Sequence, residues 1–197
     1  MKTLEVEYDY GEYLEDAIWC LKKNPEKTHL YVGDASGNFK ILCTETNKTL
    51  LEEKSFLDDR IINAKVYNDK LYVYDSKGNL KIIDNKNFEI IQFFKNFIKK
   101  QGENECSMEI YHNRMIIVQG KVLKILNLDT FETIYQDRQY TENIMSASLK
   151  LDDKFIVGTE RGSLKIFYAN HFSIDPYNVS MLSYLVPKPE GIGYVNI

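Results

Sequence analysis

Residues 30–42 read LYVGDASGNFKIL and residues 71–83 read LYVYDSKGNLKII, so one pattern occurs twice in the same order. In both copies an apolar run is followed by a turn that contains glycine and asparagine, and then by a second apolar run. Glycine and short polar residues supply the positive φ angles that tight β-hairpin turns require. The pattern therefore predicts two β-hairpins of the same kind.

The hairpin pattern occurs four times along the chain. Its second apolar run starts at Phe39, Leu80, Leu123 and Leu164, and these starts are 41, 43 and 41 residues apart. Its first apolar runs are Leu30–Val32, Leu71–Val73, Ile116–Val118 and Phe155–Val157. The third copy has only Gly120 and Lys121 between Gln119 and Val122, which predicts a tighter turn. Such regular spacing indicates a repeat architecture.

Each hairpin is flanked by further apolar segments. Candidates for a preceding strand are Ile18–Leu21, Ile61–Ala64, Met108–Tyr111 and Ile144–Ala147, and candidates for a following strand include Thr49–Leu51 and Glu89–Phe93. The aromatic content of 13% also favours strands, because aromatic side chains suit a half-buried pleated surface. The sequence therefore predicts an all-β chain of four-stranded units.

Four strands per unit, at a period just above forty residues, resemble the WD40 repeat, in which each unit forms one blade of a β-propeller. The family's Trp-Asp pair falls at Leu42-Cys43, Ile83-Asp84, Leu126-Asn127 and Phe167-Tyr168, so only Asp84 keeps half of it. The resemblance implies a propeller or partial propeller in one domain, with about four complete blades and the start of a fifth. The blades are predicted at residues 17–54, 60–94, 106–137 and 143–178, with a partial blade at 179–197 and a ring-closing strand at 1–10.

Four blades are fewer than the seven that family propellers commonly have. An open propeller would expose blade faces and an unpaired strand edge, both of which favour association. We therefore expect either a piece of a larger propeller or a ring completed by strands from a partner or a second copy. A closed four-bladed ring stays open as an alternative.

Composition narrows the function class. The net charge of −4 gives no overall attraction to nucleic acid or anionic lipid, and no stretch approaches the ~20 apolar residues of a membrane helix. Three cysteines without CxxC spacing indicate reduced thiols, hence an intracellular protein, cytoplasmic or nuclear. No catalytic, metal-binding or cofactor-binding motif is present, so we expect no enzyme activity, no cofactor and no metal site.

Acidic residues precede the first strand of each predicted blade. In propeller geometry these connections lie on one rim with the glycine turns, and the rim would attract a basic peptide. The alternative is that the carboxylates only keep the loops solvated. The predicted acidic rim comprises Glu15, Asp16, Asp58, Asp59, Glu103, Glu105 and Glu142.

Three further features allow a functional and a structural interpretation. The connection from Phe93 to Glu105 is longer than its counterparts, and its residues Phe94, Phe97, Lys99 and Lys100 form a second candidate contact site. Trp19 is predicted to lie in the core. A lysine recurs in the second run of every hairpin, where its stem is expected to lie along a neighbouring blade with the ammonium group in water; these are Lys40, Lys81, Lys124 and Lys165.

Together these observations predict a non-catalytic scaffold that binds protein partners. The alternative from another class is a propeller subunit associated with RNA or ribonucleoprotein, for example in ribosome biogenesis, and a propeller enzyme is the third choice.

Overall fold

The computed structural model describes residues 14–97, 106–137, 143–150 and 154–168, and within these ranges the chain forms strands and no helix. Blade 1 contains β1 (Ile18–Lys23), β2 (His29–Asp34), β3 (Phe39–Cys43) and β4 (Thr49–Glu53). Blade 2 contains β5 (Ile61–Tyr67), β6 (Lys70–Asp75), β7 (Leu80–Asp84) and β8 (Ile90–Phe94). Blade 3 contains β9 (Cys106–Tyr111), β10 (Arg114–Gln119), β11 (Val122–Asn127) and β12 (Thr133–Asp137). Blade 4 contains β13 (Ile144–Lys150), β14 (Lys154–Thr159) and β15 (Leu164–Tyr168).

Within each blade, strands that are consecutive in sequence pair antiparallel, so every blade is a simple meander. The register repeats as well, because the recurring lysine lies opposite Val32, Val73, Ile117 and Val157 in the four blades. The predicted tight third turn is confirmed, since Gln119 pairs with Val122 and leaves only two residues between the strands. These findings confirm the all-β fold class.

The described strands lie inside the predicted blade ranges, but the division into one domain stays a prediction. The fourth strand of blade 4, the partial blade at 179–197 and the ring-closing strand at 1–10 lie outside the described residues.

The cores lie between neighbouring blades. One buried cluster joins blades 1 and 2, with Tyr31, Phe39 and Ile41 packed against residues such as Ile61 and Leu71. A second joins blades 2 and 3, and a third joins blades 3 and 4. Gly33 permits the close approach of blades 1 and 2, because a Cβ atom there would lie 2.6 Å from the Cβ atom of Ile61.

The meander places the connections at two opposite ends of the sheets. We call one end the connection rim; it carries the hairpin turns at 35–38 and 76–79 and the connections that lead into β1 and β5. Backbone hydrogen bonds join these parts, from Ala35 N to Ala17 O and from Ser76 N to Arg60 O. We call the opposite end the turn rim; it carries the turns at 24–28, 44–48, 68–69 and 85–89. Backbone hydrogen bonds join its turns too, as from Asn85 N to Asp69 O.

A buried carboxylate–amide pair organises the hairpin turn in each of the first two blades. In blade 1 the backbone N–H and side-chain amide of Asn38 donate to the two carboxylate oxygens of Asp34, at 2.8 and 2.7 Å. The Oδ1 atom of Asn38 accepts a hydrogen bond from Ser55 N in the following connection. Asp75, Asn79 and Asn96 repeat this arrangement in blade 2. The pair therefore attaches each hairpin to the chain segment that leads into the next blade.

A substitution at Gly37 tests how tightly the hairpin turn packs. Gly37 has a φ of 82°, and a Cβ atom there would lie 2.3 Å from the backbone oxygen of Leu57. Gly162 is the matched control, because its φ is 81° and nothing lies within 4 Å of the added atom. We expect Gly162→Ala to lower the free energy of unfolding by about 1–2 kcal/mol, the cost of left-handed backbone alone. Gly37→Ala should cost clearly more; equal losses in urea unfolding would contradict the packing argument.

Replacing Asn79 tests the buried pair. Burial raises the pKa of Asp75, and the hydrogen bonds from Asn79 oppose that rise. Asn79→Ala leaves buried polar groups without partners, so we expect a loss of about 1–3 kcal/mol in urea unfolding near pH 7. Alanine keeps the backbone hydrogen bond to Asp75 but loses the side-chain one, which raises the folded-state pKa of Asp75 further. An acid whose pKa is raised by folding destabilises the fold as pH rises through that pKa.

The loss from Asn79→Ala should therefore be smaller near pH 4 than near pH 7. Asn87→Ala is the matched control, because the side chain of Asn87 makes its hydrogen bonds at an exposed turn. A loss for Asn79→Ala that does not change with pH would contradict the assigned role of Asp75.

Candidate functional site

The predicted acidic residues that the structure describes all lie on the connection rim, and each has a partner. Glu15 contacts Lys54, Asp58 lies 3.1 Å from the Nζ atom of Lys95, and Asp59 lies 3.7 Å from the Nζ atom of Lys77. Asp16 accepts hydrogen bonds from Ser36 Oγ and Ala17 N at 2.8 and 2.7 Å, and these bonds lower the pKa of its carboxyl group. Glu103, Glu105 and Glu142 lie outside the described residues.

The connection rim therefore carries mixed charge in its described part. The side chains of Asp58 and Lys95 are 47% and 66% exposed, so water screens their attraction and the pair adds little to stability. A basic segment that reached these carboxylates would replace the lysines. The interpretation of the rim as a partner site stays a prediction.

Trp19 lies on the same rim, and its prediction as a core residue is wrong. Its side chain is 47% exposed, and the guanidinium carbon of Arg60 lies 4.2 Å from the centre of a Trp19 ring. Trp19 is the unpaired residue of a β-bulge in β1 between Ile18 and Cys20. A bulge re-aims side chains, and here Cys20 takes the buried place beside Gly33, where burial raises the pKa of its thiol to about 12.

The Trp19–Arg60 pair has the properties of a binding anchor. Tryptophan and arginine are over-represented among residues whose truncation costs most binding energy at protein interfaces. An arginine held over an indole ring presents a flat surface with hydrogen-bond donors at its edge. Asp59 lies next to Arg60 in the chain and accepts a hydrogen bond from its backbone N–H. The sequence signal for this site was the single tryptophan of the chain.

The described part of the second candidate site packs against blade 3. The ring centroids of Phe94 and Phe97 lie 5.0 Å apart, and both rings contact Phe131 at 4.7 and 5.9 Å. These side chains join the cluster between blades 2 and 3. Lys99 and Lys100 lie outside the described residues, so a contact role for this segment stays a prediction.

The recurring lysines are held by their surroundings. Lys81 donates a hydrogen bond to the backbone oxygen of Phe56, and its Nζ atom lies 3.9 Å from the centre of the Phe56 ring. Burial lowers the pKa of this amine. Lys124 lies 5.9 Å from the ring of Phe97, and Lys40 lies 3.0 Å from Glu52. The side chain of Lys165 lies outside the description. These contacts favour a structural role for the lysines, but the ammonium group of Lys81 lies against Phe56 and not in water as expected.

The described ranges contain no group of three or more histidine, cysteine, aspartate or glutamate residues placed to hold a metal ion. They also contain no helix with the length and apolarity that crossing a membrane requires.

Comparison with known proteins gives structural neighbours only. No protein-family model matches the sequence, and no curated protein matches it. The crystal structure of the RRP9 WD40 repeats matches with a TM-score of 0.67 at 8% identity, over 81% of this chain and 50% of that chain. A chain of the mitotic checkpoint complex matches with a TM-score of 0.64 at 12% identity, over 79% of this chain and 49% of that chain.

The computationally designed Ika4 protein matches with a TM-score of 0.63 at 14% identity, over 85% of this chain and 99% of that chain. The chain has a β-propeller fold. At these identities the likeness shows the fold alone. The chain spans about half the length of the RRP9 and checkpoint-complex chains that it matches.

The tryptophan of the propeller rim offers a direct test of the Trp19–Arg60 contact. Because Trp19 is the only tryptophan, its fluorescence reports on this site alone. We expect Arg60→Leu to increase quenching by acrylamide, since removal of the guanidinium group uncovers one face of the indole. Arg161→Leu is the matched control, because Arg161 is an exposed residue of blade 4. Equal quenching in wild type and Arg60→Leu would show that the two side chains do not stay in contact.

Proposed function

We propose that this chain is a non-catalytic, WD40-like scaffold that binds a protein segment on its connection rim. The exposed Trp19 ring with Arg60 over it is the observation that carries the proposal. A cation–π contact at an exposed site adds only about 0.5–1 kcal/mol to stability. Folding therefore gains little from the exposed position of Trp19. An exposed tryptophan of this kind is better explained as a contact surface for another molecule.

The flanking carboxylates favour a basic segment. Glu15, Asp16, Asp58 and Asp59 lie on the same rim as the anchor. A lysine- or arginine-rich peptide would replace the ammonium groups of Lys77 and Lys95 at two of them. Such an exchange keeps every carboxylate paired. It makes binding selective for charge, while the tryptophan ring supplies most of the buried area.

Completion of the propeller by strands from a partner or a second copy is part of the same proposal. The checkpoint-complex neighbour is by its name a component of an assembly, which agrees with a scaffold role for this fold. An intracellular location, cytoplasmic or nuclear, and the absence of enzyme activity also stay predictions. The alternative of RNA binding gains no support from the recurring lysines, because Lys40 faces Glu52 and Lys81 is held at Phe56.

A titration with a defined basic peptide tests the proposed function. Acetyl-Arg-Lys-Arg-Lys-amide, added to the full chain, should change the Trp19 emission with a saturating, salt-sensitive curve. We expect Asp58→Lys with Asp59→Lys to weaken binding about tenfold, because complementary charge turns into repulsion. Lys77→Ala with Lys95→Ala should strengthen it, because the competing ammonium groups are gone.

The matched control is Glu45→Lys with Glu132→Lys, which makes the same charge change at exposed residues away from this rim. Weakening by the control as large as that by Asp58→Lys with Asp59→Lys would mean that the peptide senses net charge only. An RNA oligomer that binds while the basic peptide does not would overturn the proposal in favour of the nucleic-acid alternative.

A further inference from the structure

A cleft lies on the turn rim, at the junction of blades 1 and 2 and away from Trp19. It is widely open to solvent and has a volume of about 980 Å³, at the upper end of the range of about 300–1,000 Å³ for ligand sites. Its walls are the turn between β1 and β2, the turn between β5 and β6, and the turn between β7 and β8. The lining residues that the argument uses are Glu26, His29, Leu50, Asp69, Lys86 and Phe88.

The walls of this cleft are fixed before any ligand binds. Tyr31 donates a hydrogen bond from its hydroxyl group to Asn85 Oδ1 at 2.6 Å and so ties blade 1 to the turn between β7 and β8. The buried side chain of Asn24 accepts from His29 N at 2.8 Å and donates to Thr28 Oγ1 at 2.9 Å. A preformed cleft loses little conformational entropy on binding.

The apolar part of the lining consists of Leu50, Val66 and Phe88. Leu50 is 43% exposed, although it belongs to a strand at the blade junction. At the junction of blades 2 and 3, the residue that corresponds to Phe88 is Phe131, and its ring contacts Phe94 and Phe97. In the first junction Phe88 meets the edge of the His29 ring instead, with centroids 6.0 Å apart. The apolar surface beside His29 is therefore open to a side chain from outside.

His29 carries a polar atom that lies out of reach of a ligand. Its Nδ1 atom is buried and has no hydrogen-bond partner among the described residues. Because this atom is buried, it stays a cost to the folded chain and is not a contact point for a ligand.

The charge of the lining selects against anions. Lys86 is held 2.7 Å from Asp69, and Glu26 has no ion-pair partner among the described residues. The lining therefore carries one excess negative charge. A phosphate or a nucleotide meets no available cation here, whereas a lysine or arginine side chain meets Glu26.

We propose that this cleft docks a short extended peptide segment of a partner protein. The segment places a large apolar side chain against Leu50 and Phe88 and a basic side chain beside Glu26. This site is independent of the connection rim, so the chain holds two protein segments at opposite ends of one blade pair.

The test uses two tripeptides on the full, isotope-labelled chain, observed by amide NMR. Acetyl-Leu-Lys-Leu-amide should shift the signals of His29, Phe88 and their neighbours with a saturating curve, and acetyl-Leu-Glu-Leu-amide should bind at least about tenfold more weakly. Glu26→Lys should reverse this preference. Glu45→Lys, the same change in a neighbouring turn, should leave the affinity unchanged. Leu50→Ala should weaken binding, and Ile90→Ala, which also truncates an exposed strand residue, should not.

Three results would overturn the inference. The first is the absence of saturable shifts at the cleft, and the second is an equal effect of Glu26→Lys and Glu45→Lys. The third is a set of shifts confined to residues around Trp19. Trp19→Ala should leave binding at the cleft intact, so failure of the connection-rim proposal and failure of this one are seen separately.

Discussion

The structure depends on the buried carboxylate–amide pair in the hairpin turn of each of the first two blades. In blade 1, Asp34 fixes Asn38, and Asn38 in turn accepts the backbone hydrogen bond of Ser55. Through these hydrogen bonds the hairpin turn holds the segment that enters the next blade. The rim residues ahead of β5, including Arg60, take their places from that support, and Gly37 lets the segment lie directly on the turn.

The repeat gives each blade the same strand order and register. Differences in sequence between the copies give each pair of neighbouring blades different side-chain contacts. Lys81 and Lys124 both approach an aromatic ring that follows the preceding blade, at Phe56 and Phe97 respectively. Lys40, which begins the series, pairs with Glu52 on its own blade instead. The third blade replaces the four-residue turn by a two-residue turn and so lacks the carboxylate–amide pair.

Most of the fold follows from the sequence because the determining signals are local. Apolar runs, glycine turns and the spacing of the recurring lysines fix hairpins that differ little between copies. The prediction was wrong for Trp19, which is the unpaired residue of the bulge in β1, a strand in which Cys20 alone has a buried side chain. The pairing of Asp58 with Lys95 could not be read from the pattern, because it joins residues of two different connections. The cleft at His29 was missed for the same reason, as Glu26, Leu50 and Phe88 come from separate turns and strands.

The three apolar clusters each join two neighbouring blades, so the number of clusters that a blade belongs to affects how easily it unfolds. Among the described residues, blades 2 and 3 each take part in two clusters, while blades 1 and 4 each take part in one. Stability in such an array is a sum of unit and nearest-neighbour contributions, so the end units open at lower free energy than the middle ones. Amide hydrogens of β6 and β10 would then exchange more slowly than those of β2 and β14. Within the described part of the chain, blades 2 and 3 are therefore expected to resist local unfolding more than blades 1 and 4.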